Sequence, residues 1–127
     1  MAKKLLIVDD ESHIRTLLEQ TLEELEDDGV ELLSAENGEQ ALEIIESENP
    51  QLVFLDVMMP KMNGMEVCRR VKKELSLNNV YIVLLTAKGQ ELDRQKGQEV
   101  GADVYMTKPF DPEMILNKAK EVFQIEE

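Results

Sequence analysis

Polar residues of a particular kind close each of several apolar runs in this chain. Asp9-Asp10 follows Leu5-Leu6-Ile7-Val8, Asp56 follows Leu52-Val53-Phe54-Leu55, Thr86 follows the run over 81–85, and Lys108 follows a short one over 104–106. Three carboxylates gathered at one place repel one another. At about 4 Å and an effective dielectric near 20, each pair costs about 4 kcal/mol, so a cation or a proton must accompany them. Oxygen donors without a cluster of His or Cys select Mg²⁺ or Mn²⁺ rather than Zn²⁺ or Cu²⁺. Phosphate is the natural fourth party, because the Thr86 hydroxyl offers a hydrogen bond and the Lys108 ammonium a point charge to phosphoryl oxygens.

Such a meeting requires elements that end side by side. The continuous apolar runs read as strands buried on both faces, and each is followed by a helical pattern. Ile14, Leu17, Leu18, Leu22 and Leu25 recur at spacings of three and four, until Gly29 stops that helix. A second strand over 30–35 precedes a helix carrying Ala41, Leu42 and Ile45, for which Asn37 and Gln40 form a capping box. Pro60 and Asn63-Gly64 mark a loop before a helix over 65–75. The stretch 90–100 forms the weakest helix, with few apolar residues and an internal Gly97. Asp111-Pro112 supplies an N-cap and first-turn proline for the last helix, whose buried side includes Ile115, Ala119 and Val122.

Five repeats of strand then helix predict an α/β fold, a doubly wound five-stranded parallel sheet with helices on both faces. In a flavodoxin-like strand order, 2-1-3-4-5, the first and third strands are neighbours, and ligands collect at their carboxyl ends. That order brings the three acids together.

The chain of 127 residues suits one domain, taken as 1–127, with no linker, repeat or low-complexity tract. A formal charge of -13 argues against direct binding of nucleic acid. The N-terminal apolar run is too short for a signal peptide or a membrane span, so a cytoplasmic protein is expected. Cys68, the single cysteine, lies among Met65, Val71 and Leu75 at helical spacing and reads as a buried thiol.

Read in order, the words Leu6-Ile7-Val8-Asp9-Asp10, Asp56-Val57-Met58-Met59-Pro60-Lys61-Met62-Asn63-Gly64, Leu84-Leu85-Thr86-Ala87, Gly101-Ala102-Asp103, Tyr105 and Lys108-Pro109-Phe110 resemble bacterial two-component response-regulator receiver domains of the chemotaxis-regulator type. The resemblance covers the whole chain. It implies that Asp56 is the nucleophile toward a phosphohistidine of a sensor histidine kinase or histidine phosphotransfer protein. Asp10 and Asp56 would hold Mg²⁺ directly, the Met58 carbonyl would be a further ligand, and Asp9 would act directly or through water. Lys108 and Thr86 would hold the other phosphoryl oxygens.

The same resemblance implies a cis Lys108–Pro109 bond and a switch. Thr86 moves toward the phosphoryl group and Tyr105 turns inward, changing a face that a downstream protein target reads. Met58 and Lys88 occupy positions where family members vary and which affect the lifetime of the phosphoryl group. Asn63 stands where Asp is frequent, but it caps a helix equally well. A stand-alone monomer is the first expectation, since residue 1 is Met and nothing suggests a cut linker. The alternative is the receiver part of a longer regulator with a DNA-binding or enzymatic output domain.

Plainer readings exist for single residues. Asp9 and Asp10 could be acids at a helix N-terminus, Thr86 a cap, Lys108 a surface lysine and Tyr105 a half-buried ring with a wet hydroxyl. His13 reads as solvated and receives no catalytic role. Met58, Met59, Met62 and Met65 read as packing rather than a soft-metal site. A haloacid-dehalogenase-type phosphatase would need an acid at position 58, where Met stands. A flavodoxin-like electron carrier would need a hydroxyl- and glycine-rich phosphate loop where Asp9-Asp10-Glu11 stands, so the chain reads as a switch rather than an enzyme with a separate substrate.

Overall fold

The computed structural model describes residues 3–87 and 98–125. Five parallel strands, β1 (Lys3–Val8), β2 (Val30–Ala35), β3 (Leu52–Asp56), β4 (Tyr81–Ala87) and β5 (Val104–Lys108), form one sheet in the order β2-β1-β3-β4-β5. The predicted strand order is therefore observed. Residues 5–8, 52–55 and 82–85 have no exposed surface, as continuous apolar strands inside a covered parallel sheet require. The outer strands β2 and β5 are less fully covered, and Glu31 and Thr107 face water.

Helices cover both faces. On one side α1 (Ser12–Leu22) and α4 (Pro112–Phe123) bury Leu18, Leu22, Ile115, Ala119 and Phe123 against Leu5, Ile7, Phe54, Val83 and Leu85. On the other, α2 (Gly38–Glu48) and α3 (Gly64–Arg69) bury Ala41, Ile45, Val67 and Cys68 against Leu6, Val53, Leu55 and Leu84. Alternate residues of each strand serve opposite cores. With each such side chain stabilising by about 1.5–3 kcal/mol, the two cores hold the strand ends in register.

The helices depart from their predicted form in several places. The first does not run evenly to Gly29: α1 ends at Leu22 and a 3-10 turn, Glu23–Asp28, carries the buried Leu25. Gly29 then ends it at φ 84, a left-handed conformation that costs glycine nothing. Leu17 points outward and is 42% exposed, because the sheet can cover only one stripe of the helix. The third helix starts at Gly64 and continues as a π-helical segment over Arg70–Glu74, leaving Leu75 exposed beyond it. In α4 the buried residue of the last turn is Phe123, with Val122 only partly covered. Most of the helix predicted over 90–100, including Gly97, lies outside the described residues, as does Lys88.

The caps are largely as expected. Asn37 Oδ1 accepts from the Gln40 N–H, but Gln40 Oε1 reaches back to the Glu36 N–H at 2.7 Å rather than to Asn37. Asn63 caps α3 by accepting from the Glu66 N–H, and Asp111 caps α4 by accepting from the Glu113 N–H. Pro112 occupies the first turn of α4. No helix among the described residues is long and apolar enough to cross a membrane.

The loop after β3 folds back against the strand it leaves. Gly64 donates its N–H to the Val57 carbonyl at 2.9 Å, and a Cβ at Gly64 would collide with the carbonyl oxygen of Asp56. Gly64→Ala should therefore push the loop off the Asp56 backbone and lower unfolding stability by about 1–3 kcal/mol. Urea denaturation of the two proteins followed by circular dichroism measures the difference.

Candidate functional site

Strand geometry delivers the polar residues to one edge. Asp56 is the last residue of β3, and its register partner on β4 is Leu85, so the next β4 residue, Thr86, lies just beyond it. Thr86 is in turn the partner of Thr107, one residue before Lys108. Asp9 follows β1 directly and is held there by its N–H to the Ala35 carbonyl at 3.3 Å.

Lys108 reaches across the sheet edge. Its Nζ lies 2.9 Å from Asp9 Oδ2 and 3.1 Å from Asp56 Oδ1, so one ammonium bridges two buried carboxylates from β1 and β3. The expectation that Lys108 contacts phosphoryl oxygens leaves out this first duty, which is to offset the charge of the acids. Its backbone leads into the Lys108–Pro109 bond, which is cis, as the resemblance implies.

One oxygen from each of Asp9, Asp10 and Asp56 lies within 4.8 Å of the other two. Asp9 is wholly buried, Asp56 nearly so, and Asp10 is exposed. Asp9 Oδ1 also accepts from the Glu11 N–H at 3.0 Å, which secures the turn into α1. Hard oxygen donors at this spacing, open to water on the Asp10 side, fit a small divalent cation.

The site is electrostatically unsatisfied even with Lys108 in place. Burial first, and the Asp9 charge second, push the Asp56 carboxyl up to about 6, against the opposing pull of Lys108 and a backbone hydrogen bond from Met58. For Lys108, burial works to lower the ammonium, yet its bonds to Asp9 and the charge of Asp56 prevail and raise it above its ordinary value. Three carboxylates cluster here, and the Lys108 ammonium is bonded to two of them, Asp9 and Asp56. A further cation has a strong electrostatic reason to bind there.

The other predicted residues fall as follows. Thr86 is buried, and Tyr105 is half-buried against the core on the α3 side, with Leu84 as its register partner. Met58 is 60% exposed, so packing does not account for it, whereas Met59, Met62 and Met65 pack on the core. His13 is exposed, with its Nε2 at 3.5 Å from Glu11. Cys68 is buried, and desolvation pushes its thiol up to about 12, which leaves it unreactive. Reading the sequence missed Arg15, whose guanidinium donates to the Asp9 carbonyl at 2.6 Å. Its place one turn into the helix after the acids was the only available signal.

A family model described as the response regulator receiver domain matches residues 5–120. The chain is similar to the alkaline phosphatase synthesis transcriptional regulatory protein PhoP of Bacillus subtilis, with 44% identity over 98% of this chain and 50% of that protein. It is likewise similar to the phosphate regulon transcriptional regulatory protein PhoB of Pseudomonas aeruginosa, with 42% identity over 98% of this chain and 53% of that one. The chain thus spans about half the length of these curated relatives. Among solved structures, the chemotaxis protein CheY4 of Vibrio cholerae superposes with a TM-score of 0.81 at 32% identity, covering 96% of this chain and 99% of that one.

The raised Asp56 carboxyl has a consequence for stability. A carboxyl whose pKa is higher folded than unfolded contributes stability that is full below the unfolded value and lost as pH rises through the folded one. The interval from 3.8 to about 6 corresponds to about 3 kcal/mol. In buffer containing a chelator, Asp56→Asn should therefore be more stable than the wild type at pH 8 by up to that amount. The gap should close as pH falls from 7 to 4. Thermal unfolding across that range reads it, and a gap independent of pH would contradict the assignment.

Proposed function

The chain belongs to the response regulator receiver domain family, and from that membership we propose that it is a phosphoacceptor switch in which Asp56 takes a phosphoryl group from a phosphohistidine. The single observation that carries this reading is the bridge of Lys108 between Asp9 and Asp56 at the open end of the sheet. It supports the reading because the Asp56 carboxylate, the Lys108 ammonium and the acids proposed to hold a metal meet at one point. A carboxylate oxygen of Asp56 forms the new bond to phosphorus while the bond from phosphorus to the histidine nitrogen breaks. The donor's imidazole keeps the electron pair.

Lys108 pairs with a phosphoryl oxygen, and the Thr86 hydroxyl donates to another. Asp9, Asp10 and Asp56, with the Met58 carbonyl, are the proposed ligands of Mg²⁺, or of Mn²⁺ in its place. When bound, that ion would neutralise charge on the acids and on the transferring group. In-line attack by water on the same phosphorus breaks its bond to the Asp56 oxygen, which keeps the electron pair as inorganic phosphate leaves, so the chain assists its own phosphorylation and dephosphorylation as a signalling domain rather than a classical enzyme.

The proposed partners are a sensor histidine kinase or histidine phosphotransfer protein upstream and a protein target downstream. Residues 1–127 would act as one cytoplasmic receiver domain. The stand-alone reading, with a monomer expected, is supported by the likeness to a chemotaxis protein of which the chain covers 99%. The second reading, a receiver joined to an output domain, is favoured by transcriptional regulators of about twice this length. An immunoblot of the source cells with antibody against the domain separates the two by the size of the native product.

Incubation with a small phosphodonor and Mg²⁺ should add one phosphoryl group to the wild type and none to Asp56→Asn, as read by intact mass. Equal labelling of the variant would remove Asp56 from its role. Mg²⁺ at 100 times its Kd should stabilise the wild type by about 2.7 kcal/mol, and Asp10→Asn should show a smaller rise in Tm at equal Mg²⁺.

Thr86→Ala should still be labelled but should transmit the change poorly. On addition of a beryllofluoride mimic, the amide shift of Tyr105 should move in the wild type and move much less in the variant. An undiminished response would separate Thr86 from the switch.

A further inference from the structure

Arg15 sits in the first turn of α1 with its side chain only 15% exposed. Its Nη1 donates to the Asp9 backbone carbonyl at 2.6 Å, and its Nη2 lies 3.4 Å from Glu36 Oε1, just after β2. The guanidinium thus spans the carboxyl ends of two neighbouring strands. Its planar fork presents separate donors, in fixed directions, to both at once.

The Asp9 carbonyl lies in the same rigid peptide plane as the Asp10 nitrogen. Holding that oxygen restrains the plane, and so narrows the directions in which the Asp10 side chain can leave the backbone. This matters most for Asp10, whose carboxylate makes no hydrogen bond to another described residue and is exposed. Asp9 has its own anchors, in the Glu11 N–H and Lys108. Among the described residues, only the backbone sets the aim of Asp10.

We propose that Arg15 is a positioning residue of the acid site, fixing the turn after β1 so that Asp9 and Asp10 face Asp56 at the spacing a divalent cation needs. The inference rests on the reading that these three acids hold such a cation. It differs in sign from a purely electrostatic role. Arg15 carries positive charge beside a cation site, so removing it should tighten Mg²⁺ binding if charge alone mattered. Removing a positioning contact should weaken it, and groups that orient metal ligands are typically worth 10–100-fold in affinity.

The test is a Mg²⁺ titration of wild type, Arg15→Ala, Arg15→Lys and Leu25→Ala, followed by the amide shifts of Asp10 and Asp56 at a temperature where circular dichroism shows each protein folded. Arg15→Ala should weaken binding about tenfold or more. Arg15→Lys, which keeps one charged donor within reach of the Asp9 carbonyl, should recover part of that loss. Leu25→Ala truncates a buried core side chain in the 3-10 turn and should keep wild-type affinity. Unchanged or tighter binding in Arg15→Ala, no recovery in Arg15→Lys, or equal weakening in Leu25→Ala would each overturn the proposal. A wild type that does not respond to Mg²⁺ would instead sink the reading of the acids as a metal site.

Discussion

The constraint on which this molecule depends is the mutual repulsion of carboxylates that the sheet forces together. Asp9 and Asp56 end adjacent strands, both are buried, and neither can turn away into water. Among the described residues, the only ammonium bonded to them comes from β5, two strands away from β3 across β4. That bridge leaves the three acids net negative, and burial first, with the Asp9 charge second, pushes the Asp56 carboxyl up to about 6. A site poised in this way favours any arrangement that brings in more positive charge, or that gives the ammonium a better partner.

The rest of the fold pays attention, in physical terms, to keeping that arrangement from relaxing. Fully apolar segments of β1, β3 and β4 lie between two cores, so a slip of one residue would place core side chains in the wrong layer. The loop after β3 is tied back by Gly64 to Val57, and Val57 donates its N–H to the Leu85 carbonyl at 3.0 Å. Beyond β4, Asp103 Oδ2 accepts from the Ile82 N–H at 2.8 Å and from Lys72 at 2.9 Å, joining the entry of β5 to the π-helical segment after α3. Charge is concentrated at one edge while rigidity is supplied from below it.

Thr86 and Tyr105 stand between those two regions. Thr86 is buried at the charged edge, and Tyr105 is half-buried one strand further out, against the core that also packs on α3. A change of hydrogen bonding at Thr86 has a short path to a partly covered aromatic ring on an outer strand. Outer strands have fewer neighbours to hold them, which suits the movement proposed for Tyr105.

The order of strands, the placement of Asp9, Asp10, Asp56, Thr86 and Lys108 at one edge, and the caps at Asn63 and Asp111 were all legible in the chain itself. The strand ends and the caps follow from local rules, since unbroken apolar runs make buried parallel strands and the residue that ends such a run must lie at the sheet edge; the order of strands was legible only through the flavodoxin-like fold that the repeats resemble. Periodicity also marked the buried thiol of Cys68 and most of the core. It could not decide which of Leu17 and Leu18 faces the sheet, nor that Phe123 rather than Val122 closes the last helix, because neighbouring helical positions compete for one contact stripe. Nor could it reveal that Lys108 bridges Asp9 and Asp56, or that Arg15 holds the Asp9 carbonyl. Those contacts join residues 99, 52 and 6 apart in the chain. Local spacing places a side chain on an edge, but only the packed register of strands and helices decides which group it reaches when it gets there.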